Sequence, residues 1–124
     1  MVRTFLTASL LLAALGRSAD AAECAGPVSH WQPCARCTLE TSKTTRRDTP
    51  CYVGISVGSA ADVLLSQRVI GKPAHGAAET SGATYTYTPA KGFVGQDSFK
   101  TERVFLRGDG AFVTYMIVHI DVTP

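Results

Sequence analysis

The chain has 124 residues, of which 45% are hydrophobic and 18% are charged, and its formal net charge is +2. This length and hydrophobic share suit one small domain with a packed core. The near-neutral charge gives no argument for nucleic acid or an anionic membrane surface as a partner, so we expect neither.

The first residues have the pattern of an export signal. Arg3 supplies a short positive region, residues 5–15 form an apolar stretch, and residues 19–21 read Ala-Asp-Ala, a cleavage site of the A-x-A type. The apolar stretch is shorter than the roughly 20 apolar residues of a membrane span, and no later stretch approaches that length. We therefore predict a signal peptide over residues 1–21, a mature chain from Ala22, a periplasmic or secreted location and no membrane span.

Four cysteines follow early in the mature chain, at Cys24, Cys34, Cys37 and Cys51. An even number in a small exported chain predicts two disulfides, and the sequence does not choose among the three possible pairings. The C-x-x-C motif of Cys34 and Cys37 could instead be half of a zinc site, but a second such motif is missing. A thioredoxin-like redox role needs the motif at a helix N-terminus in an α/β fold. We therefore expect structural disulfides and no metal or other cofactor.

Residues 22–50 show neither a helical nor an alternating pattern, and they contain three prolines and the single tryptophan, Trp31. We predict a Cys-rich, disulfide-pinned loop region with at most one short strand, packed on a domain that spans residues 51–124. Trp31 is a candidate binding residue, because tryptophan is enriched at binding hot spots.

From Cys51 onward the pattern changes to short strands separated by turns. Alternating or β-branched segments predict strands over residues 52–57, 63–70, 84–88, 97–106 and 111–122. Glycine and proline predict turns at residues 71–76 and 107–110, the second of them a hairpin turn. In the last strand the even-numbered positions from 112 to 122 form one apolar face, and the opposite face becomes polar near its end. Several short strands at such spacing indicate a sandwich or a barrel.

Residues that could carry chemistry are few and isolated. The histidines, His30, His75 and His119, have no local nucleophile signature beside them. Asp97 follows a turn, where capping of the backbone is the expected use of its side chain. Residues 107–109 match the integrin-recognition tripeptide Arg-Gly-Asp, but turn chemistry accounts for each of them. We therefore predict no catalytic residue and no metal site.

Residues 87–99 read Tyr-Thr-Pro-Ala-Lys-Gly-Phe-Val-Gly-Gln-Asp-Ser-Phe. This motif, with the preceding turn Lys-Pro-Ala-His-Gly at residues 72–76, resembles the bacterial Ig-like and cadherin-like modules of secreted and surface proteins. The resemblance covers residues 63–122 and implies a β-sandwich with Greek-key connections, an adhesive or scaffolding role and no catalytic residues. It further implies that a set of motif residues serves the fold, with Tyr87 and Phe99 as core anchors and Gly92 and Gly95 at turns: Tyr87, Pro89, Gly92, Phe93, Gly95, Asp97 and Phe99.

Together these features predict an all-β protein, an Ig-like antiparallel β-sandwich with a disulfide-pinned N-terminal segment. The expected function is that of an exported, non-enzymatic domain with a structural or protein-interaction role, which binds a protein partner through a strand edge or its hairpin loops. The alternative is a small secreted inhibitor or ligand-binding protein that uses the Cys-rich loop around Trp31. An enzyme would need a pocket that gathers His75 or His119 with an acid.

Overall fold

The computed structural model describes residues 21–27, 33–54 and 62–124. These residues form strands and no helix, so none of them belongs to an apolar helix long enough to span a membrane. The strands are β1 (Ala22–Glu23), β2 (Thr38–Arg46), β3 (Cys51–Gly54), β4 (Asp62–Gly71), β5 (Gly76–Ser81), β6 (Thr84–Pro89), β7 (Gly95–Arg107) and β8 (Gly110–Thr123). The predicted all-β class is confirmed.

The strands form two four-stranded sheets, with the orders β1-β3-β6-β5 and β2-β8-β7-β4. Strands β3, β5 and β6 lie in one sheet and β4, β7 and β8 in the other, the distribution of strands B to G of an immunoglobulin domain, so the predicted Ig-like sandwich is confirmed. The pairs among β3 to β8 are antiparallel. The two N-terminal strands differ, because β1 pairs in parallel with β3 and β2 pairs in parallel with β8.

Most of the predicted strands are present. The segments predicted at residues 63–70, 84–88, 97–106 and 111–122 lie within β4, β6, β7 and β8. Strand β3 covers the first part of the segment predicted at 52–57, whose remaining residues lie outside the described ranges. The hairpin turn also forms as predicted, since Arg107 pairs with Gly110 and Gly108 has φ of 57°.

The interpretation of residues 22–50 as a loop region with at most one short strand is wrong. Strand β2 is nine residues long and pairs with β8 from Thr38, opposite Tyr115, to Arg46, opposite Thr123. Its buried positions are Thr41, Lys43 and Thr45, so the strand shows no alternation of apolar and polar residues. Hydrogen bonds make this burial possible. Lys43 Nζ donates to the Pro27 carbonyl at 2.8 Å, and Thr45 Oγ1 donates to the Thr49 carbonyl at 2.8 Å.

The two predicted disulfides are present, and the structure fixes their pairing. Cys24 bonds to Cys51 across 27 sequence positions, and Cys34 bonds to Cys37 across three. The zinc alternative needed Cys34 and Cys37 as free ligands, with Cys24 and Cys51 or His30 completing the site, and these two sulfur atoms are bonded to each other. In the chain-entropy description a closed loop of 27 residues contributes about 3.5 kcal/mol to stability, whereas one of three residues contributes about 1.6 kcal/mol.

The core lies between the sheets and is built mainly from β3, β6, β7 and β8. Tyr87 and Phe99 are buried with parallel rings 6.2 Å apart, in the positions expected of core anchors. The buried core cluster as a whole comprises Cys24, Cys51, Val53, Tyr85, Tyr87, Phe99, Met116, Val118, Ile120 and Val122.

Candidate functional site

Asp97 is a buried carboxylate that ties together three segments of the fold. Its Oδ1 accepts backbone hydrogen bonds from Ala74 at 3.0 Å and Ser98 at 2.9 Å. Its Oδ2 accepts from the His75 backbone N–H at 3.0 Å and from the Tyr87 hydroxyl at 2.8 Å. Burial, with the hydrogen bond to Asp97, raises the pKa of Tyr87. Four donors fill the accepting positions of this carboxylate, so its role is structural.

The other motif residues shape the chain around Asp97. The His75 ring stacks on Phe93 with centroids 4.3 Å apart, which fixes the turn that precedes β5. Gly92 and Gly95 have φ of 78° and 138°, values that residues with a β-carbon rarely adopt. Pro89, at the end of β6, is buried opposite Gly76. The described contacts of the motif residues therefore stabilise the fold.

A polar cleft lies beside the motif. A cavity of about 550 Å³ is bordered by β2, β7 and β8, and it is lined by Gly26, Pro27, Ser42, Lys43, Thr44, Gln96, Asp97, His119, Ile120 and Asp121. A second cavity of about 240 Å³ shares Gln96, Asp97 and His119 with the first and adds His75. The cleft therefore does bring both described histidines near an acid, which was the condition set for an enzyme.

The described residues of the cleft show no serine in hydrogen-bond contact with a histidine. His119 Nε2 lies 3.2 Å from Glu40 Oε1 in an exposed pair. Ser98 and Ser42 lie opposite His119 on the neighbouring strands, but among the described residues no hydrogen bond joins either serine to it. A serine nucleophile needs that contact with its base. Over the same residues, no three His, Cys, Asp or Glu side chains form a group that could hold a metal ion.

The second candidate site is an apolar surface on the sheet that contains β7 and β8. Side chains alternate along a strand, and the inward positions of these two strands are buried. The positions between them therefore lie on the opposite face of the sheet, where their side chains are half-buried, and none of them belongs to the core cluster. We call this set the apolar outer face: Val104, Leu106, Val113, Tyr115 and Ile117.

Strand β4 extends the apolar outer face to the edge of the sheet. Val63 pairs with Leu106 and is 54% exposed, and Leu65 beside it is 53% exposed. Among the described residues β4 pairs with β7 alone, so its other side is an edge. The register shifts between Leu64 and Ser66 and between Val69 and Gly71. Such bulges are common at edges, where they limit pairing with another chain.

Charged side chains border the apolar outer face toward the cleft. Arg68 Nε donates to Glu102 Oε1 at 2.9 Å, and this hydrogen bond raises the pKa of Arg68. Lys100 Nζ lies 5.1 Å from the centre of the Tyr115 ring, a cation–π contact. An apolar centre with a charged border is the usual composition of a protein interface.

The Arg-Gly-Asp tripeptide in the β7–β8 hairpin is partly engaged within the fold. Arg107 Nε and Nη2 donate to the Asp62 carboxylate at 2.6 and 2.9 Å. The guanidinium also lies 5.0 Å from the centre of the Phe112 ring. The hydrogen bond to Arg107 holds the pKa of Asp62 below its usual value. This arginine therefore anchors the start of β4 to the end of β7.

Several predicted features lie outside the described residues. They are Trp31, His30 and residues 1–20 of the predicted signal peptide. The inhibitor or ligand-binding alternative, which depends on Trp31, stays a prediction. Conversely, sequence reasoning missed Val104 and Leu106 as surface residues. Alternation identified the outward side of β8. The sequence did not show that this side continues across β7 and β4, because that depends on the pairing register of the strands.

Comparison with known proteins does not assign the chain to a family. No family model matches it, and no curated protein is significantly similar to it. Among solved structures, a sialyltransferase from Photobacterium damsela aligns at 11% identity and a TM-score of 0.41, over 72% of this chain and 19% of its own. An endo-fucoidan hydrolase of glycoside hydrolase family 107 aligns at 10% identity and a TM-score of 0.39, over 70% of this chain and 13% of its own. The chain thus spans less than a fifth of either enzyme.

Proposed function

We propose that this chain is an exported, non-enzymatic domain related to the bacterial Ig-like and cadherin-like modules, and that it works by binding a protein partner. The apolar outer face is the observation that carries this proposal. Contiguous apolar side chains that point away from the core are uncommon on a soluble domain and commonly mark interaction sites. Val63 and Leu65 add strongly exposed apolar area beside that face.

Two further observations support the export and the family. Both disulfides indicate an oxidising compartment, and the signal pattern of residues 1–21 agrees with a periplasmic or secreted location. The motif at residues 87–99 carries the resemblance, and its described contacts serve the turn at residues 72–76 and the core. Because the motif serves the fold, we expect partner binding to depend on surface residues outside the motif.

The partner is expected to present an apolar patch bordered by charges of both signs. Such a patch would cover the apolar outer face, while its border meets Arg68, Glu102 and Lys100. An extended segment of the partner could add main-chain hydrogen bonds at the β4 edge, along residues 66–69 between the two bulges. Binding energy would be concentrated on the central apolar side chains, as at most protein interfaces.

Site-specific photo-crosslinking in the exporting cell tests this proposal. A photo-reactive residue at Ile117 on the apolar outer face should capture a defined protein, which is then purified for binding measurements. The matched variants replace two exposed valines by glutamate. Val63→Glu lies beside the apolar outer face, and Val94→Glu, at a residue that is 43% exposed, lies away from it. We expect Val63→Glu to weaken binding about tenfold or more and Val94→Glu to leave it within about twofold. Equal affinities for both variants, or no crosslink at Ile117, would overturn the proposal.

A further inference from the structure

The two disulfides lie in different surroundings. Cys24 and Cys51 are 3% and 2% exposed and belong to the core cluster, where the bond joins the ends of β1 and β3. Cys34 and Cys37 are only half-buried, and they border a turn whose two central residues are exposed. Disulfides open to solvent are the ones that exchange with external thiols, whereas core disulfides resist reduction.

The turn that holds Cys34 and Cys37 stays attached to β8 by bonds other than the disulfide. The Arg36 N–H donates to the Val113 carbonyl at 2.7 Å, and the Tyr115 N–H donates to the Cys37 carbonyl at 2.9 Å. Thr114 Oγ1 donates to the Cys34 carbonyl at 2.8 Å. Opening of the S–S bond would therefore leave the segment docked and the start of β2 in place.

The backbone conformation of the turn at residues 34–37 favours cleavage of its disulfide. Arg36 has φ of 58°, in the left-handed region that is unfavourable for a residue with a β-carbon. The disulfide and the Arg36 hydrogen bond to Val113 both hold this conformation, so reduction removes one of its two restraints. Closure of a loop of three positions also restricts the unfolded chain little, so the bond adds less to stability than a long-range one.

The chemistry around the sulfur atoms distinguishes the two cysteines. Cys37 Sγ lies 3.1 Å from the Cys34 carbonyl oxygen, so a Cys37 thiol could donate its hydrogen there. Arg36 lies between the two cysteines in the sequence, and a cation near a cysteine stabilises its thiolate, whichever of the two it is. That carbonyl oxygen stabilises the Cys37 thiol and disfavours its thiolate, so Cys34 is suited to be the sulfur released on exchange and Cys37 the sulfur that an external thiol attacks.

We propose that Cys34 and Cys37 form a thiol-exchange site at which the folded protein accepts two electrons from an external dithiol. A thiolate of the dithiol attacks Cys37 Sγ, the S–S bond breaks, and Cys34 leaves as a thiolate that takes a proton from solvent. The second thiolate of the dithiol then attacks the mixed disulfide and releases Cys37, which also takes a proton. The dithiol ends as a disulfide, and the protein carries two thiols.

Graded reduction of the folded protein tests the site. The oxidised mature protein is incubated with increasing dithiothreitol, the thiols are blocked with N-ethylmaleimide, and the labelled cysteines are identified by peptide mass mapping. We expect Cys34 and Cys37 to be labelled at dithiothreitol concentrations at least about tenfold lower than Cys24 and Cys51. The near-ultraviolet circular dichroism of the core should stay unchanged at that stage. Simultaneous reduction of both disulfides, or resistance of both until denaturant is added, would overturn the proposal.

Single-cysteine variants test which of the two cysteines forms the better thiolate, here Cys34. Cys37→Ser leaves the Cys34 thiol free, and Cys34→Ser leaves the Cys37 thiol free. With oxidised glutathione, we expect the Cys37→Ser variant to form the mixed disulfide at least about tenfold faster than the Cys34→Ser variant. Thermal melting of both variants shows whether either has lost its fold, which would remove it from the comparison and leave the graded reduction to decide. Equal rates in two folded variants would overturn the preference for Cys34.

Discussion

At the scale of single residues, the unusual side chain is Arg103. It is 1% exposed in the interior of the sandwich, where its Nε donates to the Tyr85 hydroxyl at 3.1 Å. Its guanidinium carbon lies 5.0 Å from the centre of the Tyr85 ring. Within the described part of the chain, Nη2 has no hydrogen-bond partner and no carboxylate pairs with this charge. Burial lowers the pKa of Arg103 accordingly.

Replacement of Arg103 by methionine should therefore stabilise the protein. Methionine keeps most of the length of the side chain and removes the cost of burying an unpaired charge. We expect the free energy of unfolding to rise by about 1–3 kcal/mol, as measured by urea denaturation. Arg103→Ala is the control and should destabilise the fold, because it also removes the packing of the alkyl chain. A Met variant that is clearly less stable than the parent would show that the guanidinium makes a favourable contact.

At the scale of strands, the sequence predicts those whose buried face is apolar. Strand β8 buries Met116, Val118 and Ile120, and alternation located it almost to its ends. Strand β2 buries threonines and a lysine, so the same criterion overlooked it. Strand β5, Gly-Ala-Ala-Glu-Thr-Ser, has small side chains and no β-branched run. Its place in the sandwich comes from pairing with β6, which is a tertiary contact.

The same limit applies to the candidate site. Alternation placed Val113, Tyr115 and Ile117 on one side of β8, but the sequence does not show which strands lie beside it. The parallel pairing of β2 with β8 and the antiparallel pairing of β7 with β8 are long-range choices. The polar cleft has the same origin, because Lys43, Gln96 and His119 lie on three different strands of one sheet.

The ion pair that joins β4 to β7 should make the stability of the protein depend on acidic pH. The folded-state pKa of Asp62 lies below its ordinary value of 3.8, owing first to the hydrogen bond from Arg107. This stabilisation is complete above the unfolded-state pKa and is lost as the pH falls through the folded-state pKa. We expect the melting temperature of the parent to fall more steeply below about pH 4 than that of Asp62→Asn. Parallel curves for the two proteins would show that Asp62 does not contribute to the acid response.

At the scale of the whole molecule, the N-terminal segment closes one side of the sandwich. It supplies β1 to one sheet and β2 to the other, and the Cys24–Cys51 bond holds β1 against β3. Between the two strands, Ala25 and Thr44 exchange backbone hydrogen bonds of 2.9 and 2.8 Å. These bonds use edge groups of β2, which are thereby unavailable for pairing with another chain. The sheet edge at β4, on the opposite side, carries the exposed Val63 and Leu65.

The two disulfides should therefore differ in their contribution to global stability. Removal of the Cys24–Cys51 bond releases a closed loop of 27 positions and the covalent link between β1 and β3, and chain entropy alone predicts a loss of about 3.5 kcal/mol. Removal of the Cys34–Cys37 bond releases a loop of three positions, with a predicted loss of about 1.6 kcal/mol at most, because relief of the left-handed Arg36 offsets part of it. The double variants Cys24→Ala/Cys51→Ala and Cys34→Ala/Cys37→Ala, compared by urea denaturation, measure these losses. If the second variant loses as much stability as the first, the turn at residues 34–37 is a structural clamp, and the docking of β2 depends on its covalent bond.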